Sequence, residues 1–213
     1  MIKIERLTLG FFQSNCYILW DSESPECVII DPGEEVKRII SVIELYKLKP
    51  VAILLTHCHI DHCAGVKELV EKYSIPFYMH RDEVPIYKSI PEQGMWFGFF
   101  YSNPPEPENF LEDGEEIQFG NLKIKALHFP GHSPGLLCYL IEDMLFTGDL
   151  LFQGSIGRTD LPGGSDEKMY HSLKKLRKLP QNLRIFPGHG EETELGFEME
   201  NNPFLLEIAE QDF

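Results

Sequence analysis

The segment Thr56-His57-Cys58-His59-Ile60-Asp61-His62 gathers three imidazoles and a carboxylate in one short run. A neutral imidazole nitrogen suits zinc, copper, iron or nickel, and a carboxylate adds an oxygen ligand. In extended backbone alternate side chains share a face, so His57 and His59 can grip one ion together. Asp61 and His62 come after the chain has begun to turn and face a second position nearby. One tetrahedral ion is saturated by about four protein ligands, so this segment and any ligands from elsewhere exceed one ion. A solvated loop, or histidines satisfied by backbone groups, is the competing reading and leaves so dense a cluster unexplained.

Further candidates stand apart from this run. His132, Asp149 and His189 each follow an apolar, strand-like stretch and sit beside glycines, which let backbone turn sharply and approach closely. All three can converge at the end of the fold that carries the first cluster. His80, His128 and His171 lack ligand partners in their sequence neighbourhoods and read as surface or packing residues.

These ligands need elements to place them. Residues 51–55 are a short apolar run that reads as a buried strand, and Val66, Leu69, Val70 and Tyr73 recur at helical spacing within 63–73. The cluster therefore lies where a strand gives way to a helix, the usual ligand position in α/β sheets. Residues 1–31 read as strands and hairpins, with apolar runs at 16–20 and 27–31 around a polar turn. Val36, Ile39, Ile40 and Ile43 mark a helix with acidic residues in its first turn and Pro50 as its stop. Later strands are expected at 76–79, 122–126, 136–141, 144–147 and 184–186, and a helix at 166–179. Alternation of strand and helix predicts an α/β sandwich. Within residues 81–110, Gly94-Met95-Trp96-Phe97-Gly98-Phe99-Phe100-Tyr101 is densely aromatic. It fits a pocket wall, a subunit interface, or a satellite core under a long loop.

Composition narrows the function classes. At 213 residues the chain has the size of one domain, 1–213, with no repeat and no linker. It holds no apolar run near the ~20 residues that span a membrane, and no membrane partner is expected. Its first residues lack the features of a signal peptide, so a cytoplasmic location is expected. The 34 Asp and Glu outnumber the 19 Lys and Arg, a net charge of −15. Phosphate backbones are bound by clustered Lys and Arg, so no nucleic-acid partner is expected. The five cysteines (16, 27, 58, 63 and 138) include no Cys-x-x-Cys pair, against a disulfide framework or zinc knuckle. Cys16, Cys27 and Cys138 read as core fillers, and strand alternation turns Cys58 away from the ligands beside it.

Four ordered motifs, Thr56-His57-x-His59-x-Asp61-His62, Gly131-His132-Ser133-Pro134-Gly135, Thr147-Gly148-Asp149 and Pro187-Gly188-His189-Gly190, resemble the metallo-β-lactamase superfamily. The likeness covers about residues 15–202. The run Phe152-Gln153-Gly154-Ser155-Ile156-Gly157-Arg158-Thr159-Asp160 is similar to the glyoxalase II branch, particularly its short bacterial members. The resemblance implies a four-layer αββα sandwich around two divalent ions, zinc foremost, with iron and manganese accepted by the same nitrogen and oxygen set. By position, His57, His59 and His132 would hold one ion and Asp61, His62 and His189 the other, with Asp149 bridging. Asp61 is also the candidate catalytic carboxylate. Asp31, in Ile30-Asp31-Pro32-Gly33, matches a position that supports the site, and Arg158 matches one that contacts a substrate carboxylate.

The implied chemistry is hydrolysis by a metal-bound hydroxide, since a cation lowers the pKa of bound water to about 7. A thiolate leaves readily because a thiol has a pKa near 8.5; an amide nitrogen must first be protonated, and a phosphodiester asks for basic residues. The expected partner is thus a small-molecule thioester, with S-D-lactoylglutathione cleaved to D-lactate and glutathione. Full-length glyoxalase II has a C-terminal helical region that binds glutathione, whereas this chain ends soon after His189. It also has Gly190-Glu191-Glu192 where the family carries a tyrosine. The alternative is an iron-dependent persulfide dioxygenase, a branch resembling this chain in His57, His132, Asp149 and Gly157-Arg158-Thr159-Asp160. That branch holds one iron and needs no filled second site.

Overall fold

Strands β1 (Ile2–Leu9), β2 (Ser14–Asp21) and β3 (Glu26–Ile30) pair antiparallel in the computed structural model, which describes residues 1–211. Helix α1 (Val36–Leu45) then crosses over and sets β4 (Lys49–Leu54) parallel to β3, as a parallel step requires. The chain continues through α2 (Ile60–Cys63), α3 (Val66–Tyr73), β5 (Phe77–Met79) and a 3₁₀ turn (Arg81–Glu83). Helices α4 (Val84–Lys88) and α5 (Ile90–Trp96) lead to β6 (Asn109–Phe110), completing a six-stranded sheet in the order β1-β2-β3-β4-β5-β6.

The second sheet starts with β7 (Glu116–Phe119), β8 (Leu122–His128), β9 (Leu137–Ile141) and β10 (Met144–Gly148). A small ribbon of β11 (Leu151–Phe152) and β12 (Ser155–Ile156) precedes α6 (Asp166–Leu176), β13 (Arg184–Pro187) and β14 (Thr193–Glu194). The order is β14-β13-β10-β9-β8-β7, with β13 parallel to β10. Helices α7 (Leu195–Asn201) and α8 (Pro203–Gln211) follow.

Side chains alternate along each strand, and the alternation sorts them into three apolar layers. Ile18, Ile29 and Ile53 face Ile39 and Leu69 on the helices beside the first sheet. Leu19, Val28 and Leu54 face Tyr139, Phe146 and Phe186 between the sheets. Leu145 and Ile185 meet Met169, Leu173 and Leu205 beside the second sheet. Three apolar layers separate four structural ones, so the fold is the expected αββα sandwich. No helix among the described residues is long and apolar enough to cross a membrane.

Three local expectations are corrected. Glu34 and Glu35 precede α1 rather than opening its first turn; their carboxylates accept from the Phe11 and Gly10 amides, at 2.8 and 3.0 Å, and hold the β1–β2 turn. Pro50 does not stop that helix: it lies within β4, where the β3–β4 register shifts and tolerates a residue without an N–H. Helix α6 ends at Leu176, short of the expected 179.

Candidate metal centre

Strand β4 ends at Leu54, and the backbone beyond it carries His57 and His59 toward the rim that faces β10 and β13. Cys58 turns the other way and is fully buried in the core. Asp61 and His62 then lie in α2. His132 stands in the loop between β8 and β9, Asp149 directly after β10, and His189 just after β13. The seven residues meet at one end of the sandwich. Their ligand atoms form two trios, His57 with His59 and His132, and Asp61 with His62 and His189.

Hydrogen bonds decide which ring nitrogens are left for a ligand. Carbonyl and carboxylate oxygens only accept, so the nitrogen facing one must carry the proton. The His132 Nδ1–H donates to the Arg158 carbonyl at 2.7 Å. The His62 Nδ1–H donates to Asp31 Oδ2 at 3.1 Å. Thr56 Oγ1 donates to the same Asp31 oxygen at 2.6 Å, so it accepts from His57 Nδ1 at 3.0 Å. Each of these rings therefore turns Nε2, the nitrogen left for a ligand, inward. His57 Nε2 is buried with no hydrogen-bond partner, and His132 Nε2 faces His59 Nδ1 across 2.9 Å. His62 Nε2 faces His189 Nε2 at 3.3 Å and Asp61 Oδ2 at 3.3 Å.

Asp149 lies between the trios. Its Oδ2 is 3.5 Å from His132 Nε2 and 3.6 Å from His189 Nε2, and its Oδ1 is 3.5 Å from His62 Nε2. A side chain at Gly188 would collide with Asp149 Oδ1 and His62, so only glycine lets the chain leaving β13 pass this close. Facing lone pairs and carboxylates are a donor set for divalent cations, and the residues present fit them.

Electrostatics agree. Burial, reinforced by the neighbouring imidazoles, pushes His57 well below its usual range, and burial with His132 takes His59 down to about 3. A ring held neutral keeps the lone pair a metal needs. Burial works to raise the Asp61 carboxyl, yet His62 and His189 together hold it well below the carboxylate range. Burial also opposes charge on His62, but Asp61, Asp149 and Asp31 raise it well above its usual value. A proton or a metal cation at His62 Nε2 answers the same acidic surroundings.

Asp31 is buried beneath the site, accepts from the Thr56 amide at 2.7 Å, and adopts φ 51, a left-handed conformation that few non-glycine residues take. Arg158 lines the same cavity, of about 490 Å³, as His59, Asp61, His132, Asp149 and His189. Its guanidinium is largely exposed and makes two bonds to Asp160, at 2.6 and 2.7 Å.

The expectation that His80 and His128 lack ligand partners is corrected. The folded chain stacks their rings at 4.1 Å and brings Asp82 beside them. His171 lies on an exposed position of α6, as expected.

Two positioning residues had no sequence signal. Glu83 is fully buried and accepts from the Cys58 amide at 2.9 Å and the Gly135 amide at 2.7 Å, tying the two ligand loops together. Gln93 accepts from the Ile60 amide at 2.9 Å and donates to the Cys58 carbonyl at 3.3 Å. Their partners are backbone groups far along the chain, which no local pattern reveals.

Residues 9–189 match the family model described as the metallo-beta-lactamase superfamily. The chain is 39% identical over 209 residues to the probable metallo-hydrolase YqgX of Bacillus subtilis, covering 96% of this chain and 98% of that protein. It is 36% identical over 209 residues to the hydroxyacylglutathione hydrolase GloC of Haemophilus influenzae, with the same coverage. A solved structure, TTHA1623 in a di-iron-bound form, superposes with a TM-score of 0.87 at 41% identity, covering 94% of this chain and all of that one. With its four-layer fold, its two trios and a family match over most of its length, the chain belongs to the metallo-beta-lactamase superfamily.

Proposed function

We propose that the protein is a binuclear thioester hydrolase, with S-D-lactoylglutathione among its substrates. The observation that carries this reading is the convergence of inward lone pairs in two adjacent trios with Asp149 between them. His57, His59 and His132 would hold one divalent ion, zinc foremost; Asp61, His62 and His189 the other; and Asp149 would touch both. Bound there, such ions supply a water that ionises near neutral pH and polarise the substrate carbonyl.

The chain's own residues do the rest. Asp31 and the Arg158 carbonyl fix the tautomers and orientation of His62 and His132. Asp61 and Asp149 place negative charge where a proton leaves the attacking water. The acyl carbon gains the water's oxygen, the carbon–sulfur bond breaks, and the departing thiolate takes up a proton. Arg158 is the proposed contact for a substrate carboxylate, which it would have to win from Asp160.

The similarity to GloC supports the acyl-glutathione reading. The assembled second trio supports this reading over a mononuclear dioxygenase, which needs no filled second site. Metal analysis of purified protein beside two assays tests the proposal: thioester loss without oxygen, and oxygen uptake on glutathione persulfide. Two ions per chain with thioester loss is expected, and Arg158→Ala should raise KM with kcat mostly intact. Oxygen uptake without thioester loss would overturn it.

A further inference from the structure

The cavity at the metal centre has a wall the hydrolytic chemistry does not require. Phe12, from the β1–β2 turn, meets Phe97, just past α5, edge to face with centroids 4.7 Å apart. Trp96, Phe152 and Ile156 extend the lining around the ligands, and Phe152 stands 5.9 Å from the His189 ring, also edge-on. Trp96 and Phe97 remain 63% and 47% exposed, although aromatic surface of this extent is ordinarily withdrawn from water.

The wall is built rather than draped. Glu34 accepts from the Phe11 amide at 2.8 Å with one carboxylate oxygen and from the Tyr101 hydroxyl at 2.9 Å with the other. One side chain thus anchors the turn bearing Phe12 and the far end of the aromatic segment. Gln93, within α5, fastens that helix to Ile60, next to the ligands His59 and Asp61. Gly94 leaves room for the Tyr101 ring, whose nearest atom would lie 2.7 Å from an added Cβ.

Polar recognition is sparse by comparison. Among the described residues lining the cavity, Arg158 supplies the one Lys or Arg charge, and Asp160 already pairs with it. Glutathione carries two carboxylates and an ammonium, and this lining offers little to compensate their desolvation.

Resting on the thioester-hydrolase reading, we propose that the site selects thioesters by a bulky apolar acyl group, aromatic or branched, seated against Phe12, Trp96 and Phe97. A lactoyl group, small and hydroxylated, leaves that wall wet. An aryl group covers it and gains the burial free energy that apolar surface provides. The thiol carrier contributes less, so a short neutral thiol suffices.

The test keeps the thiol constant as N-acetylcysteamine and uses the metal-loaded full chain. Hydrolysis of the S-phenylacetyl thioester is compared with that of the S-lactoyl thioester. Calorimetric binding of the S-benzyl thioether, which cannot be hydrolysed, is compared with that of the S-methyl thioether. The aryl compounds should be favoured about tenfold or more in both comparisons, the scale of a few apolar contacts in a pocket. Phe97→Ala, and separately the exposed Trp96→Ala, should shrink both preferences while leaving the metal content unchanged. Equal binding of benzyl and methyl thioethers overturns the proposal, as does a preference that survives both substitutions. Selective thioether binding without hydrolysis of any thioester would refute the hydrolase reading and leave the apolar site standing.

Discussion

Among the described residues, histidine and aspartate gather in two places, and their nitrogen atoms are used in opposite ways. At the candidate metal centre, rings meet nitrogen to nitrogen: His59 and His132 at 2.9 Å, His62 and His189 at 3.3 Å. The outer nitrogens of His62, His57 and His132 are fixed by Asp31, by Thr56 and by the Arg158 carbonyl, so their inner ones converge. His80 and His128 instead lie face to face, 9° from parallel. Lone pairs lie in the ring plane, so stacked rings aim them side by side rather than at a common point. His80 Nδ1 accepts from the Asp82 amide at 3.2 Å, and its Nε2 faces Glu112 at 3.3 Å. His128 Nε2 donates to the Pro134 carbonyl at 3.0 Å. Both groups put three ligand-bearing side chains within a few ångströms. Only one points them inward, and direction separates a candidate metal centre from a packed polar cluster.

Asp149→Ala strikes the comparison where it is strongest. Asp149 reaches a histidine of each trio, so its loss should empty both positions and lower kcat/KM by about a thousandfold or more, the several kcal/mol that metal-assisted polarisation supplies. Elemental analysis with turnover reads this out, and full metal content with normal turnover would remove Asp149 from its bridging place. His189→Ala should empty mainly the position shared with Asp61 and His62.

Asp31→Asn probes the orientation of the lone pairs without touching an inward-facing atom. Asp31 accepts from Thr56 and His62 together, and an amide cannot accept through both of its ends. Metal affinity should fall by about 10–100-fold, the usual consequence of losing an outer partner of a ligand. A competition titration against a chelator measures it. Unchanged affinity would mean the rings hold their tautomers without Asp31.

The candidate ligands were legible because their signal is local: three imidazoles and a carboxylate beside a strand end, and single candidates after later strands with glycine next to them. Strand and helix periodicity pointed to an α/β sandwich for the same reason, while the four-layer order rested on the resemblance to the metallo-β-lactamase superfamily. What stayed hidden depends on distant backbone. Glu83 meets the amides of Cys58 and Gly135, and Gln93 that of Ile60, all of them partners without sequence identity to read. His80 follows β5 and His128 ends β8, strands of different sheets, so the two meet only after folding. Glu34 and Glu35 look like residues that favour a helix start, yet they serve the β1–β2 turn, because its free amides lie within reach. The aromatic segment was the hardest. Its composition fits a wall, an interface or a satellite core equally, and only the placement of Phe12 opposite Phe97 puts part of it at the cavity.

The other half of the comparison is tested by His80→Ala. If the stacked pair serves packing, metal content and turnover should stay at wild-type values while stability falls by about 1 kcal/mol, the scale of a ring–ring contact. For a chain of this size that lowers Tm by about 2–4 °C. A fall in bound metal would place this cluster among the ion-holding groups.

The smallest effect separates the clusters by their response to acid. Burial lowers the His128 pKa, and the bond to the Pro134 carbonyl offsets only part of that. A histidine whose folded pKa lies below its unfolded value of about 6.5 binds fewer protons when folded. Its contribution is therefore fully present above about pH 6.5 and is lost as the pH falls through that value toward the folded pKa. His128→Gln removes the titration while retaining an N–H that can donate to Pro134. Urea midpoints measured at pH 7.5 and 5.5, with metal in excess, should then decline less in the variant than in the wild type. His57 and His59 are depressed more strongly, but they titrate alike in both proteins and cancel from the difference. If the two declines are equal, His128 is as free to protonate in the fold as in the unfolded chain, and the stacked pair exerts no electrostatic constraint on it.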